Sequence, residues 1–261
     1  MNGIEDFWNI PIAIVVAFYI LAAFAVLIFF LGFYDKARIW ASGKDTGDGL
    51  SGVGAFGLLF ISIREFFSSE CLTAKRVFRW NVLRGLLLIG IIWGFLFLFL
   101  GTVGRSLNTY IFHFLQGGFW RLFSLVLDIA GLTLLVGVVY GLLRRYVWKP
   151  ERMATSIRDG YFLLMLLVII LSGYFIEGTR VVLLKPLAID WSPVGYCFGA
   201  IARSLVGESE AAVRGFHLTC WIFHAAFALS LVAYIPFSKG FHIFASQITT
   251  SLAAERKGRG N

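Results

Sequence analysis

The chain has 261 residues, of which 59% are hydrophobic, 17% are aromatic and only 15% are charged. Soluble domains carry roughly 25% charged residues, so this composition excludes an ordinary soluble protein and indicates an integral membrane protein. The formal net charge of +8 at pH 7 falls mainly in a few loops, and this placement argues against nucleic-acid binding. The cysteines Cys71, Cys197 and Cys220 form no Cys-x-x-Cys pair, so neither an iron–sulfur nor a zinc site within the chain is indicated.

Five segments are long and apolar enough to form spans, since a helix needs roughly 20 apolar residues to cross a hydrocarbon core of about 30 Å. They lie at about 10–33, 86–103, 120–143, 161–176 and 212–235. The first span is expected to be retained, because "MNGIEDFWNIP" carries acids where a cleaved signal peptide has basic residues. We therefore expect an all-α integral membrane fold, a bundle of five transmembrane helices formed by one domain, residues 1–261.

A sixth apolar stretch, "VGAFGLLFISIREFF" at 53–67, is interrupted by Arg64 and Glu65. This pattern predicts an interfacial or re-entrant segment rather than a span.

Lysine and arginine predict the orientation of the bundle, because they concentrate in cytoplasmic loops. The segments after the first, third and fifth spans hold most of them. The loops on the other side hold only Arg105, Arg180, Lys185 and Arg203. We expect the N-terminus outside and the C-terminus in the cytoplasm, as in a multi-pass protein of a prokaryotic cytoplasmic membrane.

Charged side chains within the third and fourth spans are candidate functional residues. Asp128 is expected about two turns inside the outer end of the third span, and Glu177 and Arg180 share one face at the end of the fourth. Carboxylates at such depth mark a proton or ligand path, or else form structural pairs with a neighbouring helix. Both interpretations remain open for these residues.

Two histidines bracket the end of the last span. His224 and His242 are 18 residues apart, which is five whole turns or about 27 Å of helix, although Pro236 and Gly240 bend this end. An imidazole in hydrocarbon needs a partner, and haem iron is one that neutral histidine commonly ligates. Alternatively, His242 lies among headgroups and His224 bonds a neighbouring helix.

Three stretches of the chain resemble the respiratory nitrate reductase gamma subunit family, which includes the cytochrome b subunits of heterodisulfide reductase. They are "LDIAGLTLLVGVVYGLLRRYVWKP" (127–150), "SGYFIEGTRV" (172–181) and "IPFSKGFHIF" (235–244). The resemblance covers most of the chain and includes five spans with the N-terminus outside. In that family the last span supplies one histidine to each of two b-type haems, and His224 and His242 fall on those positions.

This resemblance implies an electron-transfer subunit that catalyses no reaction alone. It would pass electrons through haem b between a membrane quinone, expected to be menaquinone, and a cytoplasmic iron–sulfur subunit of heterodisulfide-reductase type. Quinol oxidation releases two protons, so Asp128, Glu177 and Arg180 become candidate quinone and proton residues.

Basic residues directly after the third span could hold haem propionates or an acidic partner surface. These residues are Arg144, Arg145 and Lys149. Membrane topology alone also accounts for their charge.

The second span departs from the family pattern. The family takes the opposite haem ligands from that span, but "NVLRGLLLIGIIWGFLFLFLGTVGR" (81–105) has no histidine, cysteine or methionine. His113 and His217 lie towards the outer face, so His113 can face His224 or His217 across an outer haem, while an inner bis-histidine haem with His242 cannot be completed. We therefore expect one or two haems, the second with an unusual or partner-supplied ligand. His113 and His217 could instead be solvated or hydrogen-bonded at the membrane surface.

Two other classes of protein stay open. One is a haemless membrane anchor or quinone-site scaffold for peripheral redox subunits. The other is a small-solute transporter, which is disfavoured because the sequence shows neither an internal repeat nor a pair of broken helices.

Overall fold

The computed structural model describes residues 7, 9–42, 82–149, 157–184 and 191–238. Within these ranges the chain is helical and contains no strand. Its six α-helices are α1 Ile12–Ser42, α2 Val82–Leu107, α3 Gly117–Leu142, α4 Ile157–Leu184, α5 Pro193–Val206 and α6 Glu210–Tyr234. The predicted interfacial segment 53–67 and His242 lie outside the described residues.

Every helix except α5 is long and apolar enough to cross a membrane. The candidate spans are Ile12–Lys36, Val82–Phe112, Gly117–Trp148, Gly160–Leu184 and Glu210–Phe237. Large apolar side chains are exposed along these helices, as a lipid-facing surface requires. The predicted all-α fold with five spans is confirmed, while the orientation of its termini stays a prediction.

Helix α4 is longer than the predicted fourth span, which covered 161–176. It runs from Ile157 to Leu184, so Glu177 and Arg180, expected at the end of the fourth span, lie within the last turns of the helix. The two side chains form an ion pair three residues apart. Hydropathy alone would exclude Glu177 and Arg180 from a membrane span. Because the two opposite charges lie beside each other, helix α4 can continue through both residues.

Helices α2 and α3 each continue into a π-helical turn, at Asn108–Phe112 and Leu143–Trp148. His113 follows the first turn in a left-handed conformation with φ 47°, and its N–H donates to the carbonyl oxygen of Asn108 at 3.1 Å. The side-chain oxygen of Asn108 accepts a bond from the Leu115 N–H at 2.6 Å. The connection from α2 to α3 is therefore a tight turn closed by Asn108.

Helix α5 was not predicted; it lies in what hydropathy marks as a loop between the last two spans. Pro193 occupies its first turn, where a missing N–H costs nothing. Gly195 and Gly199 lie directly against Gly178 of α4, and a methyl group on Gly178 or Gly199 would collide with the opposite backbone. Small residues thus bring the two helices into backbone contact.

The chain divides into two compact units. The first comprises Met1–Tyr19 and Leu86–Ala228, and the second comprises Ile20–Gly85 and Leu229–Asn261. In the first unit, α4 packs against α3 and α5. In the second unit, Gly32 lies against the rings of Pro236 and Phe237. All the site residues described below belong to the first unit.

Candidate functional site

His224 on α6 is held against α4 through its Nδ1 atom. Nδ1 lies 2.9 Å from the carbonyl oxygen of Ile169 and 3.1 Å from the hydroxyl of Ser172. Because a carbonyl oxygen can only accept, Nδ1 of the neutral ring carries the proton. Nε2 therefore keeps its lone pair, and it has no hydrogen-bond partner among the residues that the structure describes.

Gly173 makes this position of the His224 ring possible. A methyl group on Gly173 would lie 3.3 Å from Cε1 of His224 and 3.6 Å from Nδ1. The imidazole thus lies directly on the backbone of α4. Histidines that bind a metal through Nε2 typically donate Nδ1–H to a carbonyl oxygen, which fixes the tautomer and the ring orientation. The tautomer and anchoring of His224 would suit a metal ligand that binds through Nε2.

His217 makes a different contact. The ring is only 4% exposed, and its Nδ1 lies 3.3 Å from Nδ2 of Asn9, which also donates to the carbonyl oxygen of Arg214 at 2.8 Å. An amide nitrogen only donates, so Nδ1 of His217 accepts and the ring proton is on Nε2. This tautomer is the opposite of that of His224, and it joins the N-terminal segment to α6.

His113 is exposed in the turn between α2 and α3. No hydrogen bond joins its side chain to His224 or His217 in the part of the chain that the structure describes. Within the same described ranges, no group of three or more His, Cys, Asp or Glu side chains could hold a metal ion. A pairing of His113 with His224 across a haem therefore remains a proposal.

Asp128 on α3 holds the first turn of α5. It is 5% exposed, and its carboxylate accepts bonds from the backbone N–H of Val194 at 2.9 Å and of Gly195 at 3.0 Å. The hydroxyl of Ser192 adds a longer bond of 3.4 Å. The carboxylate thus caps α5 from a neighbouring helix, where the N-terminal N–H groups and the helix dipole favour a negative charge.

Glu177 and Arg180 form an ion pair one turn apart on α4. Arg180 Nη2 lies 2.5 Å from Glu177 Oε2. Arg180 is 6% exposed, and its Nε is buried without a hydrogen-bond partner among the described residues. The side chain of Glu177 is 29% exposed. The guanidinium of the pair is therefore buried, whereas its carboxylate is partly accessible.

The ring of Trp120 lies beside both Arg180 and Arg105, and sequence reasoning assigned neither Trp120 nor Arg105 to the site. The guanidinium carbons of Arg105 and Arg180 lie 5.4 Å and 5.9 Å from the centre of the Trp120 ring. Cations at this range are attracted to the face of an indole. We call Arg105, Trp120, Glu177 and Arg180 the Arg180 cluster. It joins α2, α3 and α4, and no spacing along the chain could have signalled it.

The basic group after the third span lies at the other end of α3 from Trp120. Arg144 and Arg145 are half-buried in the π-helical turn, and Lys149 is exposed just beyond it. This placement leaves Lys149 open to a partner.

These features define a multi-span all-α protein with an anchored histidine on α6 and a charge cluster built around the buried Arg180. The chain is similar to a protein named EtfAB:quinone oxidoreductase from Syntrophomonas wolfei subsp. wolfei (strain DSM 2245B / Goettingen), with 29% identity over 274 residues. The alignment covers 95% of this chain and 36% of that protein, so the chain spans little more than a third of its relative's length. No family profile and no solved structure matches the chain.

Proposed function

We propose that this chain is the membrane part of a quinone-linked oxidoreductase complex of a prokaryotic cytoplasmic membrane. The observation that carries this proposal is the similarity over 95% of the chain to a relative whose name specifies a quinone as reaction partner. The five apolar helices are compatible with a multi-pass position in the bilayer, where quinones reside. The chain transfers electrons and does not complete a reaction alone.

Electrons pass between a membrane quinone, expected to be menaquinone, and a cytoplasmic iron–sulfur subunit of heterodisulfide-reductase type. Bound at His224, haem b would supply the one-electron redox centre between them. The support for this assignment is the hydrogen bonding of His224. Its Nδ1–H donates to the carbonyl oxygen of Ile169, and its Nε2 has no hydrogen-bond partner among the described residues. The Ser172 hydroxyl lies within hydrogen-bond distance of the ring, and Gly173 leaves room for the ring against α4.

The iron–sulfur subunit would dock at the end of α3 that carries the basic group. Lys149 is exposed there and Arg144 is partly so. Such cations attract an acidic surface over a distance and raise the rate of encounter. Arg145 lies in the same turn.

A haemless anchor for peripheral redox subunits is the second candidate function. One observation favours it: the second span contains no histidine, cysteine or methionine to complete a haem site. In that case His224 would serve only to join α6 to α4.

Reduction by a quinol tests the proposed function. The protein, purified in detergent without oxygen, is mixed with reduced 2,3-dimethyl-1,4-naphthoquinone, and the visible spectrum is followed. We expect the absorption bands of a reduced b-type haem to appear. A purified chain that carries no haem, yet still retains peripheral redox subunits, would support the anchor instead.

A further inference from the structure

We propose that the Arg180 cluster binds the carbonyl oxygen of a neutral quinone head group, with Arg180 as the hydrogen-bond donor. This inference rests on the proposed function and specifies which residues bind the quinone. It also separates Asp128 from Glu177 and Arg180, with which the sequence had grouped it.

The donor is a buried nitrogen that the protein leaves unpaired. Arg180 is 6% exposed and gives Nη2 to Glu177, but its Nε has no partner among the described residues. A buried N–H without an acceptor is costly, and such groups in native proteins usually have a partner. A ligand oxygen beside Arg180 would supply that partner.

The balance of charge favours a neutral ligand over an anion. The cluster holds the guanidinium groups of Arg105 and Arg180 and the carboxylate of Glu177, and the neighbouring carboxylate of Asp128 brings the formal charge to zero. Gly195 lies beside both side chains, since a methyl group on it would lie 3.2 Å from the Cγ methylene of Glu177 and 3.7 Å from Oδ1 of Asp128. A phosphate placed here would add unbalanced charge to a buried site, whereas a carbonyl oxygen would not.

Flat aromatic side chains accompany the donor. The indole of Trp120 lies under both guanidinium groups. One turn before Glu177, the ring of Tyr174 stacks on Phe198 with centroids 4.9 Å apart and planes at 13°. Apolar and aromatic walls with a few placed polar groups are typical of small-molecule sites, and a planar quinone ring suits them. The side chain of Glu177 is the more accessible half of its ion pair with Arg180.

Asp128 has a positioning role in this arrangement. Both oxygens of its carboxylate are occupied by the N–H groups of Val194 and Gly195. Its backbone carbonyl oxygen accepts a bond from the Tyr174 hydroxyl at 2.7 Å. Asp128 therefore holds α5 and Tyr174 beside the cluster and does not contact the ligand.

The test measures binding of 2,3-dimethyl-1,4-naphthoquinone to the full chain in phosphatidylcholine nanodiscs by titration calorimetry. Arg180→Lys keeps a cation beside Glu177 but removes Nε, and Trp120→Phe keeps an aromatic ring but removes the indole. We expect each substitution to weaken binding about tenfold, the loss of roughly one hydrogen bond or cation–π contact. Arg214→Lys is the matched control, because Arg214 forms an exposed ion pair with Glu210 on α6. It should change the affinity less than about twofold.

Three outcomes of the binding experiment would contradict the proposal, each in a different way. Wild-type affinity in both Arg180→Lys and Trp120→Phe would overturn the assignment of the site and leave the proposed function standing. Displacement of the naphthoquinone by phosphatidylglycerol, but not by further phosphatidylcholine, would overturn it in favour of a lipid phosphate. A wild-type chain that binds no naphthoquinone would overturn the site and the proposed function together.

Discussion

Ile169 and His224 are joined by a hydrogen bond of 2.9 Å between the carbonyl oxygen of the first and Nδ1 of the second. A carbonyl oxygen in the middle of a helix already accepts an N–H from four residues later, here Gly173, but it has a second lone pair. The ring of His224 can approach this oxygen from α6 because residue 173 has no side chain beside the ring. Gly173 provides this opening, and the contact decides which nitrogen of His224 is free.

Replacement of Gly173 by alanine should disturb the proposed haem site more than the fold. The added methyl would lie 3.3 Å from Cε1 of His224, so the ring must shift by a few tenths of an ångström from its place beside Ile169. We expect a cost of about 1 kcal/mol in unfolding free energy, together with less bound haem and altered visible bands. The measurement is haem content per chain and the reduced spectrum.

Gly141→Ala on α3 is the matched control for Gly173→Ala. Its methyl would meet only the side chain of Leu163, at the ordinary contact distance of 3.6 Å. Haem content should match that of the wild type. Equal effects of the two substitutions would show that Gly173 has no special relation to His224.

Replacement of Asp128 by asparagine should reduce stability, because the side-chain NH₂ group would face one of the two backbone N–H donors of α5. We expect the free energy of unfolding in detergent to fall by about 2 kcal/mol. Ser192→Ala, which removes only the bond of 3.4 Å, should cost about 0.5 kcal/mol. If Asp128→Asn instead leaves stability unchanged and stops reduction of the haem by quinol, the Asp128 carboxylate transfers protons and does not serve mainly to cap α5.

Replacement of His113 and replacement of His217 should have different effects on haem content. We expect His217→Ala to keep the haem, because Nδ1 of His217 accepts a bond from Asn9 and the ring shares a helix with His224. His113 lies in the turn between α2 and α3 and not on α6, so His113→Ala should lower haem content as far as His224→Ala does. Haem retained in His113→Ala but lost in His217→Ala would reverse this assignment. The pyridine haemochrome assay measures the content.

Hydropathy was sufficient to predict the five spans, because a bilayer fixes the length of apolar helix that must cross it. It failed at α5, a helix of 14 residues whose contact face consists of Gly195, Gly199 and Ala202. Small residues contribute little hydropathy, and their value lies in how closely they let another backbone approach. The Pro193 that begins the helix was a local signal for it.

The candidate site was predictable only in part, for a related reason. His224 could be singled out, since a histidine inside an apolar span needs a partner. The partners of Asp128 are backbone N–H groups of residues 194 and 195, which any sequence could supply, so no pattern of side chains reveals them. Arg105, Trp120 and Arg180 come from three helices, and only their packing brings them together.

The most direct test of the central claim is the difference spectrum of the purified chain, reduced by dithionite minus oxidised by air. We predict the α band of a b-type haem in the wild-type protein and its loss in His224→Ala, with the helical content of the two proteins unchanged. A flat spectrum from a folded wild-type chain reconstituted with haem, or an undiminished α band in His224→Ala, would contradict the role of His224 as a haem ligand.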